Sequence, residues 1–156
     1  MQAAEDALLD QLIAEATVLA EAFTAQGLLI RDRSEILDAR PDWQRLSLTP
    51  VRSVASVEGL TVDGGAVSLP LAAISTDIDA RGDGWVRVAA GAGAPRVRVR
   101  MSVGLAPRWS ELPEPVRLGI IRLAAHYFTH RDAAEDAGPP AAVAALLRPW
   151  RRMRLS

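Results

Sequence analysis

Three observations predict an α+β fold. An apolar stripe of helical period runs through residues 1–26, short alternating segments broken by glycine turns fill residues 27–104, and two proline-led apolar helices occupy residues 112–156. No regular strand–helix alternation occurs, so a doubly wound parallel sheet is not expected. At 156 residues, with 49% hydrophobic and 24% charged side chains, the chain has globular composition and length for one domain spanning residues 1–156.

The first element is an amphipathic helix over residues 4–24. Leu8, Leu12, Leu19 and Phe23 share one stripe, Leu9, Ile13, Ala16 and Ala20 widen it, and Gly27 is expected to end it. The middle region reads as an antiparallel β-meander. Its clearest turns are Asp63-Gly64-Gly65 and Arg81-Gly82-Asp83-Gly84, because glycine supplies the positive φ that hairpin turns need. The strongest strand is Arg96–Val103, in which Val97, Val99, Met101 and Val103 point one way and Arg96, Arg98, Arg100 and Ser102 the other.

Pro113 and Pro115, with Glu114 between them, mark the start of the next helix, since proline is tolerated where the first N–H groups have no helical partner. That helix is expected to reach about Arg131. Its apolar residues form two sets: Val116, Ile120, Leu123 and Tyr127, and then Leu118, Ile121, Ala125 and Phe128. A helix with two apolar faces must be covered twice, in a larger core or against a neighbouring subunit. After a loop from Asp132 to Gly138, Pro139-Pro140 opens a short helix over residues 141–147 that Pro149 limits. The C-terminal region is therefore a helical hairpin with a basic tail.

The charges exclude several function classes. Formal net charge is -1, so no global attraction to nucleic acid or to an anionic membrane is implied. The chain has no cysteine, which removes disulfides, thiolate metal sites and cysteine nucleophiles. All 18 basic residues are arginine, so lysine chemistry is absent too. The N-terminus lacks a basic n-region and no apolar run could span a bilayer, which makes a cytoplasmic origin the expectation. Residues 1–26 carry Glu5, Asp6, Asp10, Glu15 and Glu21 with no arginine, whereas residues 148–154 carry Arg148, Arg151, Arg152 and Arg154 with no acid. Such ends can be two solvated faces of one monomer, or can meet across subunits.

Chemical motifs are weak. His126 and His130 have the i, i+4 spacing that can share a metal, but Tyr127 stands where a zinc hydrolase needs glutamate. Asp77 to Asp83 begins like a calcium loop, yet Arg81 occupies a ligand position and Val88 replaces the bidentate glutamate, so a β-hairpin turn is expected. Gly91 to Pro95 lacks the lysine and spacing of a phosphate loop, and no serine sits in a nucleophile elbow. No enzyme is expected, and no catalytic residue, cofactor site or metal site is assigned.

Two charged features remain. Arg96, Arg98 and Arg100 repel one another on one strand face unless acids or phosphates oppose them. Cross-strand pairing with acids such as Asp77 and Asp79 would do so; the other reading is a face turned toward DNA or an acidic partner. Trp150 among Arg148, Arg151, Arg152 and Arg154 has the composition of an interface hot spot, or else of a tail with the indole folded back on the hairpin. On the interface reading, deleting residues 148–156 is expected to leave the fold intact.

The sequence resembles the head-to-tail connector (adaptor, or head-completion) proteins of tailed phages and of phage-derived gene transfer agents. The resembling pieces are residues 6–16, Pro50-Val51-Arg52-Ser53-Val54-Ala55-Ser56-Val57, Pro113-Glu114-Pro115-Val116-Arg117, Ala124-Ala125-His126-Tyr127-Phe128 and residues 141–150. Together they cover most of the chain in arrangement, without a catalytic signature. The resemblance implies a structural subunit of a dodecameric ring beneath the portal protein, joined on its far side to a tail or head-closure protein, with DNA passing through the lumen. It implies residence in the cytoplasm of a producing bacterium and then in the particle neck. On this reading Trp150, Arg151, Arg152 and Arg154 contact the portal, and Arg96, Arg98 and Arg100 are candidates for the channel face. A non-specific DNA-binding module, a tail-terminator ring and a small enzyme using His126, His130 and the Asp77 loop are the alternatives.

Overall fold

A computed structural model of the chain describes residues 2–129 and 139–152. It divides into two compact units, residues 1–28 with 108–156, and residues 29–107.

The first unit is helical. Helix α1 spans Gln2–Thr24, α2 spans Glu114–Thr129, and α3 spans Ala141–Leu147, followed by a 3₁₀ turn at Arg148–Trp150. The three helices pack on one another. Leu12, Ala16 and Ala20 of α1, Val116, Ile120 and Leu123 of α2, and Val143 and Leu147 of α3 are buried. Pro113 starts α2 as expected: its carbonyl accepts the N–H groups of Val116 and Arg117. Gly119 lets α3 come close, since a Cβ there would stand 3.0 Å from Leu147 Cδ2. The expected end of α2 near Arg131, and the loop from Asp132 to Gly138, lie outside the described residues.

Helix α1 stops before Gly27. The residue that turns the chain is Ala25, at φ 54. The N–H of Gln26 bonds the carbonyl of Glu21 and that of Ala25 bonds Ala22, the paired bonds of a Schellman motif. Alanine in the left-handed region carries strain that glycine does not. Ala25→Gly is therefore expected to raise stability by roughly 0.5–1 kcal/mol after its larger unfolded-state entropy is subtracted. A denaturation midpoint that stays put or falls would reject this.

The second unit is built of β-strands with one 3₁₀ turn at Leu71–Ala73. Its strands are β1 (Arg31–Asp38), β2 (Gln44–Arg45), β3 (Val51–Leu60), β4 (Ala66–Val67), β5 (Ile74–Ile78), β6 (Gly84–Val88) and β7 (Arg96–Val103). Both predicted turns close hairpins, β3 to β4 and β5 to β6, with Gly64 at φ 85 and Gly82 at φ 78. The seven strands pair antiparallel, and an isolated parallel bridge joins Leu29 to Ala106, but the strands do not form the expected meander. One sheet has the order β1-β7-β3-β4 and the other β2-β6-β5. Glycine turns settle which neighbours form hairpins; they do not settle which sheet a strand joins, and β7 pairs with β1 on one edge and β3 on the other. That face, Val97, Val99, Met101 and Val103, packs with Val86 and Val88 of β6, Leu46, Val51 and Leu69 as one core.

Candidate assembly surfaces

On a wheel of 100° per residue, the two apolar sets of α2 lie on opposite sides. Val116, Ile120 and Leu123 are buried against α1 and α3. Leu118, Ile121 and Phe128 of the second set remain 38%, 51% and 46% exposed, and Ala125 is exposed beside them. Arg122 is exposed on the same side, and Arg117 flanks the strip with an enclosed Nε that has no hydrogen-bond partner among the described residues. Tyr127 falls with the packed set; burial, and secondarily the Glu15 carboxylate, raises its phenol above the ordinary 10.0. His126 lies against Tyr127, with ring centroids 6.2 Å apart, while His130 is outside the described residues.

The basic C-terminal segment folds back on the end of α1. Gln26 Nε2 donates to the Trp150 carbonyl at 2.8 Å, and the Arg152 N–H donates to the Thr24 carbonyl at 2.9 Å. The Arg151 guanidinium lies 5.6 Å from the Phe23 ring centroid. Helix α1 has no basic residue in its own last turn, so these arginines supply positive charge at the negative end of its dipole. The segment is thus part of the helical unit. Deleting residues 148–156 would strip a helix end of its partners, contrary to the expectation that the fold would survive intact. No short-range pattern announces Thr24 and Gln26 as recipients of the tail; the missing C-terminal cation of α1 is the one available signal. Arg154 lies outside the described residues.

The arginine row of β7 alternates outward as expected, with Arg96 and Arg100 exposed and Arg98 half-buried. Its counter-charges differ from those expected. Asp77 sits on β5 in the other sheet, opposite Trp85, and Asp79 is engaged in the β5–β6 turn. The register instead sets Glu58 opposite Arg98, Asp38 opposite Arg96 and Ser34 opposite Arg100. Glu58 also reaches Arg100 at 3.5 Å. Pairing by register overrode proximity in sequence, because strand order was not legible. Arg98 and Arg100 line a groove of about 530 Å³ with Asp32, Arg33 and Ser34.

The Asp77 to Asp83 segment is the hairpin turn that its sequence implied. Asp79 Oδ1 accepts the main-chain N–H groups of Arg81 and Asp83, and Oδ2 accepts the Trp85 indole N–H. Asp83 is buried and bonded to Arg45 at 2.7 Å and Thr49 at 3.0 Å. The N–H of Asp83 above all, with those of Trp85 and Arg81, holds the Asp79 carboxyl below its ordinary 3.8. A carboxyl that titrates lower in the folded chain contributes stability that is complete above about pH 4 and is lost as the pH falls through its folded value. The Trp85 indole N–H resonance should therefore shift on acidification below that point in the native chain. A shift of equal size in Asp79→Asn would reject the assignment.

No family model and no curated protein matches the sequence. Solved structures do. The chain matches one in the neck of an empty gene transfer agent (GTA) particle computed with C6 symmetry, at TM-score 0.75 and 28% identity, over 98% of this chain and 81% of that one. It matches one in the virion of a native GTA particle at TM-score 0.71 and 27% identity, over 97% and 80%. A third match, in the neck of a native GTA particle computed with C12 symmetry, has TM-score 0.71 and 27% identity over 95% and 84%.

Proposed function

We propose that this chain, a structural relative of GTA neck proteins and with them of the head-to-tail connector family, is the adaptor subunit of a phage-like neck. The observation that carries the reading is the likeness over nearly the whole chain to proteins of symmetric necks. Copies of the chain close into a ring beneath the portal protein, in number matching a dodecamer, and a tail or head-closure protein docks on the other side. The exposure of Leu118 and Ile121 on the second apolar face of α2 supports this, since a ring requires surface that the monomer leaves uncovered.

Within that reading, Trp150, Arg151 and Arg152 contact the portal from their anchorage at the end of α1, and Arg154 contacts it with them. Arg96, Arg98 and Arg100 face DNA in the lumen. Their phosphate contacts would carry no sequence information and, with Glu58 and Asp38 opposite, would be weak, which suits passage rather than retention.

Native mass spectrometry of the purified chain, alone and mixed with the portal protein encoded near it, tests the reading. A defined multimer bound to the portal is the expected result. A persistent monomer that ignores the portal would overturn it, and salt-sensitive binding of bare DNA by that monomer would favour the DNA-binding alternative. Arg151→Glu is the sharper portal variant, because it keeps the main-chain bonds that a deletion removes.

A further inference from the structure

We propose that the ring is closed by one contact between helices, in which the N-terminal half of α1 from one subunit packs along the exposed Leu118 and Ile121 of α2 on the next; this rests on the connector reading above. Helix α1 has 23 residues and α2 has 16, so α1 is the longer by about 10 Å at 1.5 Å per residue. The burial pattern shows which part is left over. From Leu12 onward α1 has a buried residue at each turn, Leu12, Ala16, Ala20 and Thr24, whereas none of the described side chains before Leu12 is buried. Yet the apolar face does not stop there. Leu9 and Ile13 lie within about 60° of Ala16 and Ala20 on the helical wheel. They are exposed all the same. Leu9 and Ile13 extend the stripe without being covered.

The face of α2 has the opposite character in charge and the same character in apolarity. Around the exposed Leu118 and Ile121 stand Arg117 and Arg122, and residues 115–129 contain no acid. Beside Leu9 and Ile13 stand the exposed Asp6 and Asp10, and residues 1–26 contain no arginine. An acid-rimmed apolar stripe and an arginine-rimmed one are complementary, and like charges exclude pairing each with itself. Within one chain they cannot meet, because the α2 strip points away from the side that packs on α1. The contact is therefore heterologous: each subunit offers α1 to one neighbour and α2 to the other, the arrangement that generates a closed ring.

Charge reversal on the full-length chain, read by native mass spectrometry under conditions in which the native chain forms its ring, tests this. Asp6→Arg with Asp10→Arg should abolish the ring. Arg117→Glu with Arg122→Glu should do the same. A chain carrying both pairs should regain it, and circular dichroism should show all three folded. The absence of native cysteine allows a second reading: a mixture of Leu9→Cys and Ile121→Cys chains should form an intersubunit disulfide that neither forms alone. Rings unaffected by either reversal, with no mixed disulfide, would overturn the helix pairing and leave the connector reading standing. Failure of the native chain to form a multimer, alone or with the portal, would overturn both.

Discussion

Replacing Gly104 by alanine is expected to destabilise the β unit by about 4 kcal/mol, combining backbone strain with overpacking. Gly104 follows β7 at φ 146, a conformation that side chains rarely adopt. A Cβ there would stand 2.5 Å from the main-chain atoms of Leu29 and Ile30. Backbone cannot move aside as the tip of a long side chain can. The other side is closed too: the Gly104 N–H donates to the Pro50 carbonyl at 3.0 Å, and Arg52 Nε donates to the Gly104 carbonyl at 2.8 Å. With a change of 1 kcal/mol moving the midpoint of a chain this size by about 2–4 °C, the melting temperature should fall by roughly 10 °C. A fall of only a degree or two would show that the crossing of the chain at Gly104 is softer than its geometry implies.

Adjacent isoleucines on α2 should behave oppositely. Ile120 is 0% exposed, and Ile120→Ala should cost roughly 3–4 kcal/mol, through lost transfer energy and a cavity. Ile121 is 51% exposed, and Ile121→Ala should change monomer stability by about 0.5 kcal/mol or less. Denaturant titration of the monomer separates the two. Equal losses would mean that the second apolar face is already covered within one chain, and would remove the surface from which assembly was argued. If the asymmetry holds, Ile121→Ala should weaken assembly while sparing the fold, and Ile120→Ala should weaken both.

Much of this division was visible in the amino-acid order. The two apolar sets of α2 follow from a period of 3.6, the outward row of Arg96, Arg98 and Arg100 from a period of 2, and both glycine hairpins from the φ that their turns require. These are local properties, set by a residue and its near neighbours. Which face of α2 would be used inside the subunit was not local. It depended on α1 and α3 packing against Val116, Ile120 and Leu123, and nothing in the spacing prefers that set to the other.

The same limit explains the features read differently. Gly27 was the natural helix stop by residue type, but the Schellman bonds place the left-handed residue at Ala25, beside Thr24 and Gln26, which are buried and bonded to the tail. The Asp77 turn offers acids to the arginine row by its composition, whereas strand order sets Glu58 and Asp38 in register with it. The basic tail showed as a charged composition with an aromatic anchor, and only the return of the chain to Thr24 and Phe23 gave it a place.

By itself, then, the sequence determined the α+β class, the helices and hairpins and the excess of apolar surface, because periodicity, proline and glycine act over a few residues. The tertiary structure decided the order of strands in two sheets, the partners of the charges and which apolar face stays bare, because each depends on which distant segments come together, and no local rule encodes that choice.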